Sequence, residues 1–154
     1  MAAWTANDFR KRHLEHRLNV LRGFRSRRID RTVPEHCAMT DGAMVTCRVL
    51  WSLMGVVTDS TRETMPHAPT IAPKFEPFEK QSRRPAKLPA GVTIRSFSKA
   101  EFDALPCAQD IILVLVAANK CVAHLDEYPD HGVSEGILDR VIDTTITEIN
   151  ARVS

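Results

Sequence analysis

Apolar residues recur along this chain at helical spacing, with one stretch that breaks the pattern. Leu14, Leu18 and Leu21 fall four and three apart, flanked by Val20 and Phe24. That spacing predicts an amino-terminal helix with one apolar stripe. Thr5 or Asn7 can cap it, and Asp8 in its first turn suits the helix dipole. A straight continuation would place Arg25 and Arg28 on the stripe, so a kink or stop is expected near Gly23. Pro34 ends the segment. Asp41 is the next expected cap, for a helix over 42–57 that is apolar nearly all round and carries one charge, Arg48.

Six of the nine prolines (Pro66, Pro69, Pro73, Pro77, Pro85, Pro89) then fall within residues 58–90. No helix or central strand tolerates that density. The prediction is extended chain, pinned to the body by Phe75 and Phe78. Residues 92–94 suit a short extended piece, but no partner strand is evident. Ser98 and Glu101 form a capping box, and Phe97 and Phe102 a hydrophobic staple, around a short helix. Pro106 should open the most apolar segment, 106–125, read as the central helix with a polar tip. Ser134 should cap a last helix whose core face is Leu138, Val141, Ile142, Thr145, Ile149 and Val153.

The expected fold class is therefore all-α: a helical bundle of four long helices plus a short one, with a long Pro-rich linker between the second and third helices. One domain is expected overall. It divides into a basic arm (1–33), a buried core helix (34–58), the linker (59–96) and a helical core (97–154).

Charge changes this picture more than composition does. Residues 1–31 hold nine Lys and Arg against three acids, a net of +6, while the remainder is net −4. Such asymmetry predicts an arm that meets an anionic partner or docks on its own acidic half. The candidate nucleic-acid-binding residues are Arg10, Lys11, Arg12, Arg17, Arg22, Arg25, Arg27 and Arg28, because arginine forks onto phosphates. Four scattered cysteines (Cys37, Cys47, Cys107, Cys121) show no metal spacing, and no signal peptide is visible. A reduced, cytoplasmic setting is the expectation. No metal, cofactor or membrane partner is expected. The acidic turn between His124 and His131 matches no metal-binding loop.

The polar tip carries the candidate chemistry. Lys120 and His124 lie four apart on one helix face, and a neighbouring ammonium keeps an imidazole neutral and basic. Arg48 has two readings: an ion pair with Asp110, or a phosphate contact near His124.

The spacing of Asn119, Lys120 and His124 resembles the short motif of HEPN domains, helical bundles of defence and toxin–antitoxin systems, many of them ribonucleases. The family's polar residue falls on Lys120 and its His on His124. Its Arg falls on Asn119, so Lys120 or Arg48 would have to supply the cation. The resemblance implies a metal-independent ribonuclease with His124 as acid or base. The expected function is thus an RNA-binding helical module of that kind. The alternative is a non-catalytic interaction or assembly subunit that uses the arm and linker to hold a protein partner or a second copy.

Overall fold

The computed structural model describes residues 5–26, 34–58, 72–81, 87–123 and 133–154, with side chains of 34–37 and 120–123 outside that description. The fold is all-α in class, with one minimal sheet. The amino-terminal helix opens at Thr5. The Thr5 hydroxyl accepts from the Asp8 amide (3.1 Å), and the Asp8 carboxylate accepts from the Thr5 amide (3.3 Å). This reciprocal box starts α1 (Ala6–Asp8), which widens into a π-helical stretch (Phe9–Glu15) and returns to α-helix in α2 (His16–Ser26). The π turn has a local cause. Phe9 and Leu14 are five apart, a spacing that an α-helix would put on different faces. Closure from i to i+5 brings both onto the buried stripe of Leu18 and Leu21.

Contrary to the sequence expectation, α2 runs through Gly23 to Ser26. Arg25 does continue the stripe, but acids of a later helix receive it there. The second helix also differs from expectation. α3 spans Pro34–Leu53, so Asp41 lies inside it instead of capping it. Pro34 begins this helix, where proline's fixed φ is favourable. α3 buries Ala43, Met44, Cys47, Leu50, Trp51 and Leu53.

The short helix α4 (Lys99–Asp103) has the anticipated capping box, and the Phe97 and Phe102 rings meet edge-on at 6.2 Å. α5 (Ala108–Ala123) begins two residues later than expected, because Pro106 and Cys107 form a turn ahead of it. It is buried on nearly every side from Ile111 to Ala118. α6 (Glu135–Arg152) is capped by Ser134, whose hydroxyl accepts from the Ile137 amide, and buries Leu138, Val141, Ile142, Thr145 and Ile149.

The packing corrects the idea of a central α5. α3 and α6 each pack on all the other long helices, while α2 and α5 each pack on this pair. The reason lies in the side chains. α3 contributes the bulky Met44, Leu50 and Trp51 side chains to the centre, and α5 adds Ile111 and Leu115 from its own side.

Two extended contacts were missed by the expectation that no strand would form. β1 (Val56–Val57) pairs antiparallel with β2 (Lys74–Phe75), Val56 opposite Phe75. Pro73 and Pro77 flank β2 and do not enter it, so its amides stay free to pair. Residues 93–95 bind the end of the chain: Thr93 and Ser154 exchange backbone hydrogen bonds at 3.1 Å, and the Arg95 amide donates to the Arg152 carbonyl at 3.0 Å.

Phe75 and Phe78 hold the described residues 74–81 of the proline-rich segment against the body. Phe78 is buried, and Phe75 meets Phe102 edge-on at 5.6 Å. Buried Gln81 secures the same stretch. Its amide donates to the carbonyls of Ser52 (2.8 Å) and Glu76 (3.1 Å), while the Ser52 hydroxyl donates to its oxygen (2.8 Å). Gln81 thereby satisfies a carbonyl in the buried last turn of α3.

Gly55 makes the turn into β1 with φ +82. A β-carbon there would stand 3.0 Å from Ser96 Cβ and 3.2 Å from the Glu76 carbonyl oxygen. Gly55→Ala should therefore cost about 1–3 kcal/mol, from the left-handed backbone and the crowding together. A urea melt would show it, and an unchanged midpoint would refute it.

The carboxyl-terminal turn closes on a buried cation. Arg152 Nε donates to Glu148 at 3.0 Å, Nη2 reaches Glu101 at 3.4 Å, and the guanidinium lies 3.3 Å over the centre of the Phe97 ring. Glu101 is further held by the Ser98 amide, by Arg95 and by the Ser98 hydroxyl, in that order of influence. Together they bring its carboxyl down to about 2 from an ordinary 4.5. A depressed carboxylate stabilises the fold fully above its unfolded value. That contribution is lost as pH falls from about 4.5 through 2. Glu101→Gln should flatten the acid limb of a stability–pH curve in that window. An acid limb identical to wild type would contradict the assignment.

Candidate nucleic-acid interface

The amino-terminal helix presents its cations by the same periodicity that buries Leu14, Leu18 and Leu21. Arg10, Lys11 and Arg12 are exposed and consecutive. They fan around the opening turns like a collar and do not line a single stripe. Among the described residues, neither Arg10 nor Lys11 has an acidic partner at ion-pair distance. Arg12 lies 3.6 Å from Asp8, a loose and exposed pair.

Further along, the cations are engaged. Half-buried Arg17 turns back on the preceding turn and donates to the His13 carbonyl (3.0 Å) and to His13 Nδ1 (3.1 Å). Burial first, and then this guanidinium, lowers the His13 pKa from its ordinary 6.5. The ring therefore favours the neutral form that can accept at Nδ1. Arg22 donates to Glu15 (2.9 Å) and Asn19 (3.1 Å). Arg25 docks on α6, with Nη1 2.7 Å from Asp139 and Nε and Nη2 at 3.0 and 2.9 Å from the two Asp143 oxygens. The far end of the helix thus docks on the acidic half, one of the two expectations for the arm, and its near end faces solvent. Arg27 and Arg28 lie outside the described residues.

The polar tip of α5 is only partly described. His124 lies outside the described residues, as does the acidic turn to His131, and the Lys120 side chain does too. Asn119 is half-buried, and its amide donates to the Thr58 hydroxyl at 3.1 Å, which ties α5 to the chain leaving β1. Arg48 is half-buried and has interactions of its own. Its expected partner is a correction: Asp110 accepts from Arg140 Nε and Nη2, at 3.0 and 2.9 Å. Asp110 and Arg140 sit on the neighbouring faces of α5 and α6, where exposed ions meet at little desolvation cost.

Cys47 is fully buried, and burial pushes its thiol up to about 12, so it is a core residue and no nucleophile. Buried Cys107 contacts the Thr144 hydroxyl at 3.1 Å. The side chains of Cys37 and Cys121 lie outside the described residues. Among the described residues no group of His, Cys, Asp or Glu could hold a metal ion, and no helix is long and apolar enough to cross a membrane.

Sequence reasoning overlooked Arg152. The signal was present: Arg152 follows Ile149 by three, in phase with the core face of α6. Comparison with known protein families, with curated proteins and with solved structures finds no match.

Proposed function

We propose that the chain is a helical nucleic-acid-binding module whose expected ligand is RNA. The observation that supports it is the exposed collar of Arg10, Lys11 and Arg12 on a helix whose other face is anchored in the core. A rigid helix holding three cations in solvent displaces counterions from a phosphate chain. A collar that fans around its helix grips phosphates without aligning on base edges, so binding should tolerate sequence. Three phosphate contacts on a single strand predict that log affinity falls with log salt at a slope of about −2. Charge-neutral replacement of Arg10, Lys11 and Arg12 by Gln should abolish most of that slope. Fluorescence anisotropy with a labelled RNA oligomer measures both. Binding indifferent to salt, or unaltered in the triple variant, would dismiss the proposal.

The finer reading adds a HEPN-like bundle of four long helices with a proline-rich linker, in a cytoplasmic defence or toxin–antitoxin protein. Its ribonuclease version rests on His124 with Lys120 or Arg48 as the cation. Incubation with a mixed RNA pool tests that version, with His124→Ala expected to be inert. The rival reading, an assembly subunit, draws on the docking of Arg25 against α6, which commits one arm cation to an exposed intramolecular ion pair. Size-exclusion chromatography separates the two: oligomers that survive nuclease and high salt favour assembly.

A further inference from the structure

Asp139 and Asp143 stand four apart on α6, one turn above the other, and both face Arg25. Arg25 Nη1, Nε and Nη2 all point at their oxygens, between 2.7 and 3.0 Å. Two carboxylates surround one guanidinium, so the local charge is net negative. All three side chains are more than a third exposed, at 37%, 38% and 58%. This arrangement differs from the collar, which lies about 20 Å back along the same helix.

We infer that Asp139 and Asp143 mask Arg25 from polyanions and so keep it out of the phosphate footprint that begins at the opening turns of the amino-terminal helix. The inference rests on the nucleic-acid reading above. A phosphate would seek the same fork that the two carboxylates occupy. An exposed ion pair is weak enough to open. Opening it, however, leaves two bare carboxylates beside the incoming phosphate, well within the screening length of about 8 Å at physiological salt. The mask therefore acts by repulsion as well as by occupancy, and it withholds Arg25 from a nucleic acid lying along the helix.

The test is the double variant Asp139→Asn/Asp143→Asn, which removes both charges with little change of shape at exposed positions. The probe is a fluorescein-labelled single-stranded uridine oligomer, titrated by anisotropy across potassium chloride concentrations. The double variant should bind several-fold tighter at low salt. Its slope should steepen by about 0.7, one further phosphate on a single strand. Adding Arg25→Gln to it should return the slope to the wild-type value, and thermal melting confirms that each variant is folded. A double variant with wild-type slope overturns the inference and leaves the nucleic-acid reading standing. So does a triple variant that binds as tightly as the double, since the gain would then come from bulk charge. A wild-type chain and a double variant that both ignore the oligomer at every salt concentration remove both ideas.

Discussion

Trp51→Ala is expected to lower stability by about 3–5 kcal/mol, the range for removing a large aromatic from a packed core. Trp51 is fully buried near the carboxyl end of α3. Its indole lies 5.2 Å from the Phe97 ring and meets Phe102 edge-on at 5.7 Å. Its Nε1 donates to the Thr145 hydroxyl at 2.9 Å, which joins α3 to α6 through the middle of the molecule. Alanine would leave a cavity bounded by α3, α6, α4 and Phe97, and a rigid surround relaxes only partly into such a void. For a chain of this size the loss corresponds to a drop in melting temperature of about 6–20 °C. Trp51→Phe separates the contributions. It keeps most of the volume and deletes the bond, and Thr145 retains its own partner, the Val141 carbonyl at 2.6 Å. That variant should lose about 1–2 kcal/mol. Urea midpoints measured by circular dichroism give both figures, and an alanine variant melting within two or three degrees of wild type would defeat the argument.

The second large effect is expected at Arg152. Its side chain is 4% exposed, and it spans Glu148, Glu101, the Phe97 ring and the carbonyls of Arg95 and Ser96. Removing one member of a buried ion network costs about 3–5 kcal/mol when the remainder is stranded. Here Glu101 and Glu148 keep some access to water, at 36% and 22% exposed, so Arg152→Ala should cost about 2–4 kcal/mol. Arg152→Lys is the informative companion. An ammonium keeps the charge but not the planar fork or the face for Phe97. It should recover only part of the loss. Full recovery in thermal melts would mean that charge alone matters and that the planar contacts described above contribute nothing.

What the sequence revealed follows from the range of each interaction. The capping box at Ser98 is local, and so is the core face from Leu138 to Ile149; spacing alone declares them. Arg25 shows the opposite case. Spacing placed it on the apolar stripe, but its partners lie more than a hundred residues away on α6, so a kink was the nearest local remedy. Arg152 failed to register for a related reason. A charge on a core face looks like an interruption until the turn at 95–101 folds over it. The strand pairs escaped notice because two-residue ladders carry no periodicity, and Gly55 and Thr93 make sense only beside Glu76 and Ser154. Of the candidate site, the collar was legible as a run of adjacent cations. Which cations are already engaged depended on tertiary contacts that no window of sequence contains.

The widened turn at the start of the chain has a consequence for how this protein can vary. Between Phe9 and Leu14 the helix carries one more residue than an ordinary α-turn requires. Deleting any one of the intervening four would leave those two side chains four apart, a register that a plain α-helix satisfies. Three of the four are the collar cations, so the supernumerary residue is dispensable to the core. A single deletion at this point would retune the positive end without disturbing what lies beneath it.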